Sequence, residues 1–117
     1  MSQNVDDLLP LKPNWLHILL ALSAGDQHGY GIMQDVLDRT NGKVRLWPAT
    51  LYGSLRAMME AELIEEPARR PSGDDDDPRR RYYKLTSFGK RVLAAEVARL
   101  EELLASVRSP RTRNSEA

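Results

Sequence analysis

At Leu63 the hydrophobic pattern of this chain changes period, and that switch narrows the architectures open to it more than any other feature. Upstream, apolar residues recur at helical spacing in three short blocks. Downstream, Leu63-Ile64-Glu65-Glu66-Pro67-Ala68-Arg69 reads as a short strand, and Pro67 restricts it to an edge or a bulge. Residues 71–78 are turn-forming, and residues 80–85 alternate basic and aromatic side chains as the return strand of a hairpin would. The helical period then resumes in one long run.

Punctuating residues set the bounds of each helical block. The first helix is expected over residues 13–24, with Pro13 in its first turn, Gly25-Asp26 ending it, and Trp15, Leu16, Leu19, Leu20 and Leu22 as its apolar face. His28-Gly29-Tyr30-Gly31 opens a second, carrying Ile32, Met33, Val36 and Leu37. Asn41-Gly42 closes it, because both residues tolerate left-handed backbone. Pro48 begins a third that runs to about residue 61, with Leu51, Tyr52, Leu55, Met58 and Met59 on its buried side. Thr86 is suited to cap a fourth, over residues 87–108. Residues 1–12 read as a flexible arm and 109–117 as a disordered tail.

The expected fold is therefore mainly α with a two-stranded β-hairpin: a winged helix-turn-helix over residues 13–86, followed by a long C-terminal dimerisation helix. At 117 residues it is expected to be one domain. There is no cysteine, which excludes disulfides and thiolate metal sites. The longest apolar stretch, residues 15–22, is interrupted by His17 and falls short of the ~20 residues that span a bilayer. With no signal-peptide layout at the N-terminus, a cytoplasmic location is expected.

Charge is balanced, 17 basic against 17 acidic residues, and on that number alone a nucleic-acid binder would be a poor reading. The way the charge is distributed argues the other way. Residues 79–91 hold Arg79, Arg80, Arg81, Lys84, Lys90 and Arg91 with no carboxylate, directly after the aspartates at 74–77. Arg79, Arg80 and Arg81 on a hairpin stem would reach phosphates, and such contacts fix position rather than sequence. The aspartates would repel phosphates, so the tip of the wing is expected to point away from a duplex. The third helix would present Ala49, Thr50, Gly53, Ser54, Arg56, Ala57 and Glu60 outward. Small residues at its start let backbone approach, and Arg56 suits bidentate contact with guanine. A purely structural reading pairs Arg56 with Glu60 at i,i+4.

Leu93, Val97, Leu100, Leu104 and Val107 lie at spacings of 4, 3, 4 and 3, a heptad seam. Burying five such side chains contributes about 7–15 kcal/mol gross. Association costs about 4–15 kcal/mol, so Trp15 and Leu19 are expected to join the interface. His17 and His28 lack partners for catalysis or metal binding and read as structural. No cofactor, metal site or enzymatic motif is indicated.

Four segments, HGYGIMQDV (28–36), ATLYGSL (49–55), ELIEE (62–66) and RRYYKLTSFGKRVL (80–93), resemble the PadR family of transcriptional regulators. The ordered set, rather than any one segment, is specific. The resemblance implies a dimeric winged helix whose third helix enters the major groove, with a single C-terminal helix for dimerisation. Position by position it implies that Tyr30, Thr50, Tyr52 and Arg56 face DNA or support the reading helix, and that Arg80 and Arg81 meet phosphates. Two departures stand out: Gly53 where relatives have proline, and Glu62 where they have glycine, which would strain Glu62 if that turn needs a positive φ. Some relatives bind small aromatic effectors in the dimer cleft; here the last helix is aliphatic after Phe88. The function expected is a homodimeric repressor on an inverted-repeat operator, with a small-molecule effector as an optional control. The alternatives are a winged-helix protein-interaction module and a chiefly small-molecule-binding dimer.

Overall fold

The computed structural model describes residues 4–69 and 79–109. Helix α1 (Pro13–Ser23) starts on proline, whose missing N–H is no loss in a first turn. Strand β1 (Gln27–His28) leads straight into α2 (Gly29–Arg39). Asn41 and Gly42 take φ of 56° and 78°, and the Gly42 N–H reaches back to the Leu37 carbonyl at 2.7 Å, closing α2. Then come α3 (Pro48–Glu60), β2 (Ile64–Glu65), β3 (Tyr82–Leu85) and α4 (Ser87–Arg108).

The sheet has three strands, one more than expected, in the order β1-β3-β2. Gln27 pairs with Tyr83 and His28 with Tyr82, while Ile64 pairs with Leu85 and Glu65 with Lys84. A two-residue β1 is too short to show alternation in a sequence. β2 stops at Glu65 rather than running to residue 69, and Pro67 has no N–H to extend the ladder.

The core is built by Ile18, Leu19 and Leu22 of α1, Ile32 and Val36 of α2, Leu51, Leu55 and Met58 of α3, and Leu63, Ile64, Tyr83, Phe88 and Val92. Two expectations do not hold. Leu19 is fully buried in its own core, so it has no surface to offer a partner. Tyr52, expected on the buried side of α3, is 44% exposed, because it lies on the flank of the helix rather than beneath it.

The junction between β2 and α4 is tightly tied. Glu62 does take a positive φ, 65°, as its departure from glycine warned. Its carbonyl accepts the Thr86 hydroxyl at 2.6 Å, and that hydroxyl oxygen in turn accepts the Gly89 N–H at 2.9 Å as the cap of α4. A Cβ at Gly89 would overlap the Leu63 carbonyl, so only glycine lets the first turn of α4 come this close.

The arm is not loose where it is described. Val5–Leu8 forms a 3-10 turn against α4, and Leu11 is buried with its N–H donating to Glu96 at 3.0 Å. Residues 1–3, most of the expected tail (110–117) and the aspartates at 74–77 lie outside the described residues. Among the described residues no helix is long and apolar enough to cross a membrane.

Candidate nucleic-acid interface

The HGYG segment resolves into four separate tasks. His28 caps α2, its Nδ1 accepting the Gly31 N–H at 3.1 Å. A Cβ at Gly29 would overlap the Tyr52 hydroxyl, and one at Gly31 would overlap the Gln27 side-chain oxygen. Both glycines therefore keep space for side chains that cross the start of α2. Tyr30, between them, is 57% exposed.

Tyr52 of α3 and Tyr30 of α2 line a cavity of about 420 Å³ together with His28, Tyr83 and the wing-stem residues Arg79, Arg80 and Arg81. The sheet register assembles it: pairing of His28 with Tyr82 brings the stem against the N-terminus of α2, and the two rings meet edge to face at 5.2 Å. Arg80 Nη1 lies 3.1 Å from His28 Nε2. The His28 ring and the Arg80 guanidinium thus meet at the wall of the cavity. Arg81 is partly engaged by Glu66 at 3.2 Å, a solvent-exposed pair worth little. Burial pushes the Tyr83 phenol above its ordinary value, with Arg81 working in the opposite sense.

The outer face of α3 matches the sequence reading. Ala49, Thr50, Gly53, Arg56 and Glu60 are exposed, and Ser54 and Ala57 half-buried. Among the described residues Arg56 makes no ion pair with Glu60. Nothing lies within 4 Å of a Cβ built at Gly53, so its surface is open to a backbone approach. His28 does cap a helix, in keeping with a structural role, but its second nitrogen faces the cavity; only the pairing with β3 reveals that.

The expected seam on α4 is divided. Leu93 is buried against its own domain and Val97 half-buried, whereas Leu100, Leu104 and Val107 are exposed. Leu103, absent from the heptad reading, is 53% exposed and widens the outer stripe. Trp15 is half-buried, with the Lys12 ammonium 5.0 Å from its ring. Beside the inner part of the seam lies a second, mostly apolar groove of about 450 Å³, lined by Leu85, Leu93, Ala94 and Val97 with Lys90 and Glu101 at its margin.

Residues 18–95 match the sequence pattern of the transcriptional regulator PadR-like family. An uncharacterised protein of Lysinibacillus sphaericus is 34% identical over 87 residues, 74% of this chain and 76% of that protein. A transcriptional regulator from Clostridium thermocellum superposes with a TM-score of 0.66 at 21% identity, over 94% of this chain and 97% of its own. A PadR family transcription regulator from Clostridium difficile gives 0.62 at 25% identity, over 83% of this chain and 98% of its own.

Proposed function

Because this chain belongs to the PadR-like family of transcriptional regulators, we propose that it is a repressor that binds double-stranded DNA as a homodimer on an inverted repeat. In this reading the N-terminal half of α3 enters the major groove, where Thr50, Gly53 and Arg56 meet base edges. Tyr30, Tyr52, Arg79, Arg80 and Arg81 hold the flanking backbone. The observation that carries the reading is the convergence of these tyrosines and arginines on one cavity flanking the exposed face of α3. The guanidinium groups of the wing stem at this cavity suit a backbone phosphate.

The second copy supplies what the outer half of α4 lacks. Leu100, Leu103, Leu104 and Val107 recur at i, i+3, i+4 and i+7, a stripe that an antiparallel or crossing partner helix would cover. Val97 and the half-buried Trp15 extend it inward. The neighbouring aliphatic groove favours a second element of the reading, an apolar small-molecule effector held near the dimer contact.

Electrophoretic shift of the DNA upstream of its own gene, repeated across salt, tests the proposal. If each subunit neutralises ~3–5 phosphates, affinity falls ~10³–10⁵-fold between 50 and 200 mM salt. Binding that ignores salt, or no binding, would sink it.

A further inference from the structure

Between α2 and α3 the chain displays chemistry that neither the cavity nor the α3 face uses. Residues 43–47 have no regular structure but are fastened at both ends. The Val44 N–H donates to Thr40 Oγ1 at 3.0 Å, and the Trp47 carbonyl accepts the Leu51 N–H at 2.8 Å. Leu46 is buried and Val44 half-buried, so alternation turns Lys43, Arg45 and Trp47 outward. Trp47 is 64% exposed and sits directly before Pro48, the first residue of α3. The Arg45 guanidinium lies 5.1 Å from the indole centre, a cation–π arrangement that holds it at this edge. An indole left this open forgoes burial that would be favourable, and tryptophan, apolar with one polar N–H, is enriched at interfaces.

The surrounding charge identifies the partner. Residues 39–59 contain Arg39, Lys43, Arg45 and Arg56 and no carboxylate. Arg39 is matched by Asp35 at 2.9 Å, whereas Lys43, Arg45 and Arg56 make no ion pair among the described residues. A cation stacked beside a flat apolar plate, in a segment without carboxylates, complements a sugar–phosphate backbone, which offers an anion and an apolar edge at each nucleotide.

We propose that Arg45 and Trp47 form an additional duplex contact at the leading edge of α3: Arg45 binds a backbone phosphate, and the Trp47 indole packs on the adjacent deoxyribose or a thymine methyl. The contact rests on α3 being the reading helix. It adds a polar–apolar clamp at the groove margin, separate from the cavity formed by the wing stem.

Trp15 and Trp47 are the two tryptophans of the chain, so a Trp15→Phe variant leaves Trp47 as the sole emitter. This full-length variant and the unsubstituted chain are titrated in parallel with a labelled mixed-sequence duplex of about 40 bp at low salt, affinities being taken from duplex anisotropy in the unsubstituted chain and tryptophan emission from the variant. Emission is expected to quench or shift in step with anisotropy. Trp47→Ala is expected to weaken binding about tenfold per subunit, or about a hundredfold for the dimer, in line with lost burial of a large side chain, with an unchanged melting temperature; Trp47→Phe recovers most of the loss. Arg45→Ala, which removes one phosphate contact from each subunit of the dimer, makes the dependence of log affinity on log salt shallower by about 1.8. Emission that stays constant through a complete anisotropy curve, with Trp47→Ala binding like its parent, overturns this contact and leaves the reading of α3 standing. A parent chain that binds no duplex overturns both.

Discussion

Glu96 joins parts of the chain that are 85 residues apart. Its buried carboxylate accepts the Leu11 N–H and two N–H groups of Arg99, at 2.6 and 3.0 Å. The Arg99 contact holds the carboxyl below its ordinary value of 4.5; burial opposes this, and the Leu11 amide adds to it. A depressed folded value means the stabilisation is complete above about pH 4.5 and is lost as pH falls through the folded value. Glu96→Gln is therefore expected to be less stable than the parent at pH 7, by about 1–3 kcal/mol. Urea melts from pH 7 to 3 should show that gap closing, and a constant gap would deny Glu96 this role. Glu62 makes the opposite case. With φ at 65° it bears a conformational cost that glycine escapes. Glu62→Gly is expected to raise stability by about 1 kcal/mol, measured by the same melts. Of these two residues only Glu62 is legible in the sequence, from the glycine expected in its place. Glu96 looks like any solvent-facing carboxylate of a helix, and its partner lies at the other end of the chain.

Whole elements are easier to read than single contacts where their ends carry chemically decisive residues. Pro13, Asn41-Gly42, Pro48 and Thr86 each end or begin a helix where backbone chemistry says they should. β1 is invisible in the sequence because two residues have no period, and the packing of residues 5–11 is hidden because Leu8, Leu9 and Leu11 show no regular spacing. The long helix α4 is legible in extent but not in use. A heptad pattern cannot say which turn meets its own domain, and here Leu93 does while Leu104 does not. The outer half therefore carries the dimer prediction. Leu100→Lys with Leu104→Lys is expected to sediment as single chains at micromolar concentration, with helical circular dichroism retained because both side chains are exposed in the protomer. A variant that still sediments as a dimer would place the subunit contact elsewhere.

Taken whole, the molecule is electrically neutral yet strongly sorted, with Arg79, Arg80 and Arg81 at the cavity and Arg56 on the outer face of α3. Base contacts and phosphate contacts fail differently. Arg56→Ala is expected to flatten discrimination between operator and random DNA, a loss of about 1–3 kcal/mol on the preferred sequence. Arg80→Ala with Arg81→Ala should weaken both DNAs alike and reduce the salt slope. Competition binding at two salt concentrations separates these results, and equal losses from both changes would refute the division of labour. One connection governs how the parts can move. The middle strand of the sheet passes into the projecting helix with only Thr86 between them, and that residue is pinned to Glu62, Leu63 and Gly89. No slack joint separates the base of that helix from the strand whose tyrosine meets the histidine cap, so a tilt of the helix is expected to carry the strand with it.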